Sequence, residues 1–210
     1  TEVSNSKFVI DVKSTSLFTT DEILKKNNSE VIFWKTGHSY IKRKTSDINA
    51  TAGFERSGHF FFNNPIGRGY DDGILSALEI LKILDKNENQ TISDLYNQLT
   101  NTFSSPTMSP KCPEESKYKL VEKLEGIFQR KKKNNETVAG QKILSILTVN
   151  GVRIHLEDGS WGLVRASSNS PNLVVVCESI ISEERMKEVF NDLNNELIKF
   201  NEIGEYDQKI

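Results

Sequence analysis

Residues 104–115 read SSPTMSPKCPEE and hold Pro106, Pro110 and Pro113, three of the chain's five prolines. Each proline fixes φ, removes a backbone donor and biases the residue before it away from helix. The stretch reads as a boundary. It divides the 210 residues into two parts of similar size, 1–104 and 114–210, joined by a hinge at 105–113. A chain of this length holds one large or two small domains, at about 100–200 residues each. No internal repeat links the two parts.

Upstream of the boundary, strand-like and helix-like segments alternate. Residues 7–12 (KFVIDV) form a short β-rich run. Thr20 is placed to cap a helix over 21–26, whose first turn is acidic. Residues 30–34 are a second apolar run, 38–46 a polar helix, and 60–62 a third strand signal. Ile74, Ala77, Leu78, Leu81 and Leu84 then share one helical face, with Asp71 and Asp72 at its start. Ile92, Leu95, Tyr96 and Leu99 mark a second amphipathic helix behind Thr91. Strands alternating with helices predict an α/β layer domain.

Downstream, the pattern changes. A helix over 114–130 carries Val121, Leu124 and Phe128 on one stripe. Strand-like segments follow at 143–149, 152–156, 161–166 and 173–177. Asn150-Gly151 and Asp158-Gly159 are the dipeptides of tight antiparallel hairpins. A last helix carries Met186, Val189, Phe190, Leu193, Leu197 and Phe200, read as core. Helix, meander, helix is an α+β pattern. The basic run 130–133 reads as a solvated linker, and His155 as structural or exposed.

Lys plus Arg number 27 and Asp plus Glu 29, a net charge of −2. That balance argues against a general nucleic-acid binder, which needs a basic face. No apolar run approaches the roughly 18 residues that cross a bilayer, so no membrane role is expected. The N-terminus lacks a signal-peptide pattern. Cys112 and Cys177 are isolated from each other, which excludes a disulfide scaffold and a Cys-rich zinc site and predicts a cytoplasmic home.

Two loops concentrate chemistry. Residues 34–59 hold Lys35-Thr36-Gly37-His38-Ser39 and Glu55-Arg56-Ser57-Gly58-His59. A loop carboxylate accepts from two neighbouring sugar hydroxyls, and a serine with a nearby N–H completes such recognition. The same residues also suit a solvated surface loop. The spacing of the two histidines matches no zinc pattern. Arg165-Ala166-Ser167-Ser168-Asn169-Ser170-Pro171 lies between two apolar strands. One guanidinium, three hydroxyls and an amide suit a phosphate dianion. They equally suit an ordinary polar hairpin loop.

Taken in order, these segments resemble the α-D-phosphohexomutase family, in its bacterial phosphomannomutase/phosphoglucomutase group. VIDVK (9–13) looks like the first strand of that family's domain 3. WKTGHSYIK (34–42) is close to the group's pattern. ERSGH (55–59) looks like its sugar-recognition loop, usually GExSGH, with Phe54 where a second glycine is common. YDDGILSALEILKIL (70–84) looks like the helix that follows. WGLVRAS (161–167) looks like the approach to the phosphate loop of the last domain. That loop reads RASSNSP in this chain, where RASNTxP is frequent, so Ser168 and Asn169 stand at positions that are often Asn and Thr. The family's phosphoserine loop (like TASHNP, domain 1) and magnesium loop (like DGDGDR, domain 2) have no counterpart in the chain.

The resemblance implies an α/β mixed-sheet layer domain (domain 3) followed by an α+β domain with an antiparallel sheet and two helices (domain 4). It implies the substrate-binding half of an enzyme that interconverts hexose 1-phosphate and hexose 6-phosphate of glucose or mannose through a bisphosphate. Glu55, Ser57, His59, Lys13 and His38 are then sugar-site residues, with His59 a candidate proton shuttle. Arg165, Ser167, Ser168, Asn169 and Ser170 hold phosphate. The intact enzyme would use Mg²⁺ and a hexose 1,6-bisphosphate activator, with the metal and the phosphoserine supplied by the N-terminal domains 1 and 2. This chain alone would hold no metal and turn over no substrate. The other function class open to the same residues is a free-standing phosphosugar-binding or regulatory module.

Overall fold

The computed structural model describes residues 4–210. The chain forms two compact units, divided between Asn101 and Thr102.

The first unit contains β1 (Lys7–Asp11), α1 (Leu17–Thr20), α2 (Glu22–Lys26), β2 (Glu30–Trp34), α3 (His38–Asp47), β3 (Ala52–Phe54), β4 (Phe60–Phe62), α4 (Gly73–Asp85) and α5 (Ile92–Asn97). Its sheet runs β2-β1-β3-β4. β1 is parallel to both β2 and β3, and β4 closes antiparallel on β3. The sheet is therefore mixed. β1 is central, and Phe8, Val9 and Ile10 are all buried. A strand covered on both faces has a continuous apolar run, not an alternating one. On one face α3 lays Ile41 against Val9, Ala50 and Phe61. Around Phe54 the rings of Phe8, Phe18, Phe60 and Phe62 gather at 5.6–6.1 Å between centroids.

Two sequence expectations shift in this unit, and one strand forms that the sequence does not signal. Asp21, not Thr20, caps the second short helix, accepting from the Leu24 N–H at 2.9 Å. β3 has no sequence signal: three residues with a central glycine carry no period, and the strand exists because it pairs with β1. The stripe of α4 predicts a core face. Instead Ile74 is 78% exposed, with Leu78 and Leu81 also exposed, and α4 has no buried residue. Ile80 and Ile83 are exposed as well, so α4 is apolar around much of its circumference. Periodicity alone reports that a face is apolar, not that the same chain covers it.

The second unit contains β5 (Phe103–Ser104), α6 (Lys117–Lys133), β6 (Thr137–Val138), β7 (Gln141–Leu147), β8 (Val152–Leu156), β9 (Trp161–Ala166), β10 (Leu173–Ser179) and α7 (Glu183–Leu197). Its sheet order is β5-β10-β9-β8-β7-β6, antiparallel throughout. The two Gly turns stand where expected, with Gly151 at φ +90° and Gly159 at φ +84°. Leu120, Leu124 and Phe128 of α6 and Val189, Phe190 and Leu193 of α7 share one core with Ile154, Val164 and Val175. Both cysteines are buried.

The segment expected to be a hinge, 105–113, belongs to the second unit. Ser105 and Met108 donate backbone N–H groups to Cys177 and Val175 at 2.8 and 3.0 Å, and Cys112 donates to Pro171 at 2.9 Å. The prolines sit at positions whose missing donor is not required, so the segment runs as an irregular sheet edge, where proline is tolerated. The basic run 130–133 is not a linker either. It forms the last turn of α6, where cations favour the carbonyl end of the helix, and Lys131 pairs with Glu196 of α7 at 3.0 Å. Among the described residues no helix is long and apolar enough to cross a membrane.

Candidate functional site

In the first unit, β2 and β3 lie on opposite sides of β1. The chain leaves β1 in one direction across the sheet and returns on the other side. The carboxyl ends of the parallel strands at such a reversal open a crevice, the usual ligand position in α/β sheets. Most of the sugar-site candidates lie at this edge.

Asp11 ends β1 and is fully buried. It accepts from Ser14 Oγ at 2.7 Å, from Thr36 Oγ1 at 3.1 Å and from the Arg56 N–H at 3.3 Å, with Lys13 Nζ at 3.7 Å. One carboxylate thus ties together the loops after β1, β2 and β3. Sequence reasoning finds Lys13 and passes over Asp11. The available signal is a carboxylate closing a run of buried apolar residues, which costs several kcal/mol unless partners await it.

Glu55 follows β3 and is only 6% exposed. Its Oε1 accepts from the Gly37 N–H. Gly37 has φ +130°, and an added Cβ would sit 3.1 Å from the Tyr40 ring. Glycine is what lets this N–H reach the carboxylate. The loop 55–59 is closed by Glu55 N–H to His59 O at 3.0 Å and Gly58 N–H to Glu55 O at 2.9 Å. Ser57 is exposed on that loop. His38 opens α3 directly after Gly37.

His59 Nδ1 is 2.6 Å from Asp71 Oδ2, and His38 Nε2 is 4.0 Å from the same oxygen. The two imidazoles meet edge to face at 6.2 Å. Burial pushes the Asp71 carboxyl up. The bonds from His59 and the Phe60 N–H, with the charges of His59 and His38, outweigh burial and hold it below the ordinary range. By its place in the sequence Asp71 is a helix-start charge. Asp72 performs that task, capping the Leu75 N–H at 2.9 Å. Contacts therefore run from Lys13 through Asp11 to the Glu55 loop, and from Glu55 through Gly37 to His38, Asp71 and His59.

In the second unit, Arg165 lies near the end of β9, mostly buried, with Nη1 donating to Ala166 O at 2.9 Å. Gly151 faces it across the hairpin, and a Cβ there would come within 2.4 Å of Arg165 Cβ. The turn after β9 is held by Ser167 N–H to Asn172 O at 3.0 Å and by the Ser167 and Ser170 hydroxyls at 2.9 Å from each other. Ser168 and Asn169 are exposed. Beneath the loop stands a residue that sequence reasoning misses. Lys117, the first residue of α6, is fully buried, and its Nζ donates to Ser167 O at 2.6 Å, Ser170 O at 3.1 Å and Glu114 Oε2 at 2.7 Å. A cation at a helix N-terminus opposes the helix dipole. That mismatch is the legible sign that Lys117 serves something other than α6.

No group of three or more His, Cys, Asp and Glu side chains among the described residues is arranged to hold a metal ion. The acceptors nearest to such a set are committed, Asp11 to hydroxyls and an N–H, and Asp71 to His59. These residues do not fit a magnesium site.

The description "Phosphoglucomutase/phosphomannomutase, alpha/beta/alpha domain III" matches residues 1–103, and "Phosphoglucomutase/phosphomannomutase, C-terminal domain" matches residues 110–196. A phosphomannomutase/phosphoglucomutase of Pseudomonas putida is 34% identical over 88% of this chain and 37% of its own length. A phosphoglucomutase of Neisseria meningitidis is 33% identical over 83% of this chain and 35% of its own. The crystal structure of a phosphoglucomutase/phosphomannomutase family protein from Burkholderia thailandensis superposes with a TM-score of 0.75 at 26% identity, over 93% of this chain and 38% of that one. The chain spans little more than a third of the length of the curated relatives it matches.

Proposed function

Because this chain belongs to the phosphoglucomutase/phosphomannomutase family, with its domain III and C-terminal domain, we propose that it is the substrate-holding half of a mutase interconverting hexose 1-phosphate and hexose 6-phosphate. The observation that carries the reading is the buried Glu55 carboxylate, fixed through Oε1 by the Gly37 N–H at the carboxyl edge of the parallel strands. Its second oxygen is the acceptor assigned to the sugar. Glu55 and Ser57 read the O3 and O4 hydroxyls, whose configuration glucose and mannose share. Arg165, Ser167, Ser168, Asn169 and Ser170 hold the phosphate that is not reacting. Lys13 and His38 border the sugar, and His59 is the group that takes and returns a proton.

The reaction moves a phosphoryl group from a phosphoserine to a sugar hydroxyl, giving a bisphosphate that turns over and returns its other phosphate to the serine. The serine, and a magnesium ion that would neutralise charge on the moving group, are assigned to the family's domains 1 and 2. A hexose 1,6-bisphosphate serves the intact enzyme as activator. No step is assigned to a metal within this chain.

Isothermal titration with glucose 1-phosphate, mannose 1-phosphate and galactose 1-phosphate tests the reading. Glucose and mannose esters should bind comparably. The galactose ester, epimeric at C4, should bind about 10–100-fold more weakly, the equivalent of one hydrogen bond to a charged group. Arg165→Ala should abolish binding of all three. Equal binding of the galactose ester would remove Glu55 from its role as reader of the O4 hydroxyl, and turnover by the pure chain in a coupled assay would refute the division of labour.

A further inference from the structure

We propose that Asp71 is a positioning residue for His59, fixing the proton of the ring on Nδ1 so that Nε2 is the atom offered to substrate. The inference deepens the reading of the first unit as the sugar site, and its geometry stands independently of that reading.

The carboxylate is held from several directions. Its backbone makes an antiparallel bridge with Phe61 of β4. Oδ1 accepts from the Phe60 N–H at 3.3 Å, and Oδ2 lies 2.6 Å from His59 Nδ1. His59 is itself set by the closed loop 55–59 and by its place directly before β4. Neither partner is a long surface side chain that adopts one of many rotamers. Both are short, and both sit beside strand β4. The side chains are 45% and 28% exposed, so it is short length and backbone placement, not burial, that spare this pair the rotamer entropy an ordinary surface ion pair loses on meeting.

An ionised carboxylate only accepts hydrogen bonds. The causes that hold Asp71 ionised are the same contacts, so at neutral pH the proton between the two groups belongs to the imidazole. Nδ1 then carries a hydrogen, and the neutral ring presents Nε2 as an acceptor. In the proposed transfer, the attacking sugar hydroxyl gives its proton to Nε2 as its oxygen bonds to phosphorus, and the serine Oγ–P bond breaks with its electron pair remaining on the serine oxygen, which regains a proton when the imidazolium releases the one it took. Nδ1 keeps its hydrogen throughout, donated to Asp71 Oδ2, and the carboxylate charge stabilises the imidazolium that forms. His38 is the other titratable group on this carboxylate, and at 4.0 Å it lies beyond hydrogen-bond reach.

The neighbouring residue argues against a purely local explanation. Asp72 already caps α4 through the Leu75 N–H. The helix needs no second acid turned away from it.

The test is the tautomer of His59, read by long-range ¹H–¹⁵N correlation spectra of the 210-residue chain above the titration range of its histidines. The chain has only three histidines, so each ring is assignable. The expected result is neutral His59 as the Nδ1–H form in the wild type, loss of that form in Asp71→Ala, and its return in Asp71→Glu. Asp72→Ala removes the helix cap and should leave the tautomer unchanged. An Nε2–H tautomer in the wild type overturns the proposal, as does an Nδ1–H form that persists in Asp71→Ala or disappears equally in Asp72→Ala. Should Asp71→Ala lose its amide dispersion, the wild-type spectrum alone decides. A full-length protein without mutase turnover would refute the proposed function and leave this tautomer as it is.

Discussion

Lys117→Met removes a buried ammonium while keeping the length and most of the volume of the side chain. Three hydrogen bonds disappear. The one to Glu114 counts for little, because that carboxylate is 61% exposed and water replaces its partner. The two to Ser167 O and Ser170 O are charge-assisted, at 2.6 and 3.1 Å. Bonds of that kind contribute about 1.5–3 kcal/mol each. The carbonyls lie in a loop that water can reach, so the lower end applies, and the expected loss is about 3 kcal/mol for the second unit. With a urea dependence of about 2 kcal/mol per molar, the midpoint should fall by about 1.5 M. Trp161 is fully buried in the second unit. Its fluorescence, followed in a Trp34→Phe background, reports that unit's unfolding. The variant should also bind hexose phosphate more weakly, because the Ser167–Ser170 turn loses its prop. A midpoint shift corresponding to less than about 0.5 kcal/mol, the scale of an ordinary surface change, would refute the argument that Lys117 supports the loop after β9.

Two further outcomes are expected. His155 is pushed down from 6.5 to about 4, first by burial and then by the charge of Arg153, whose Nε donates to His155 Nε2 at 3.2 Å. Between pH 6.5 and 4 the unfolded chain binds a proton that the folded chain refuses, so stability is full above that window and falls through it as pH drops, by about 3 kcal/mol in all. Urea titrations at pH 7 and pH 4.5 should show His155→Gln losing most of that dependence, and parallel profiles for the two proteins would refute it. Gly37→Ala should cost more than about 1 kcal/mol, because φ +130° strains any residue with a Cβ. It should also weaken binding of glucose 1-phosphate by drawing the N–H away from Glu55, and calorimetry on the folded variant would read both effects.

The meander of the second unit is legible in the sequence because Gly151 and Gly159 of Asn150-Gly151 and Asp158-Gly159 take positive φ, with alternating β8 (VRIHL) between the two turns and apolar β9 after them. The family is legible because five motifs stand in one order, whereas each loop alone, at Glu55 or at Arg165, also suits an ordinary polar loop. The turn chemistry is encoded within a few residues and survives reading one segment at a time.

What the sequence leaves undecided depends on residues far apart in the chain. β3 forms only against β1. Asp11 is buried because partners 3, 25 and 45 residues away meet it. Lys117 reaches a loop 50 residues on, and Asp71 turns from helix start to histidine because β4 brings them together. The proline segment looks like a hinge because proline breaks helices, yet Ser105, Met108 and Cys112 donate to β10 and the loop that enters it, and Ser109 and Lys111 donate to Asp207 and Glu205 near the end of the chain. A charge or a backbone donor declares that it needs a partner, and composition says as much. Which partner it finds is fixed by the path of the chain in three dimensions, and that path decides which polar residues of this protein form its candidate site.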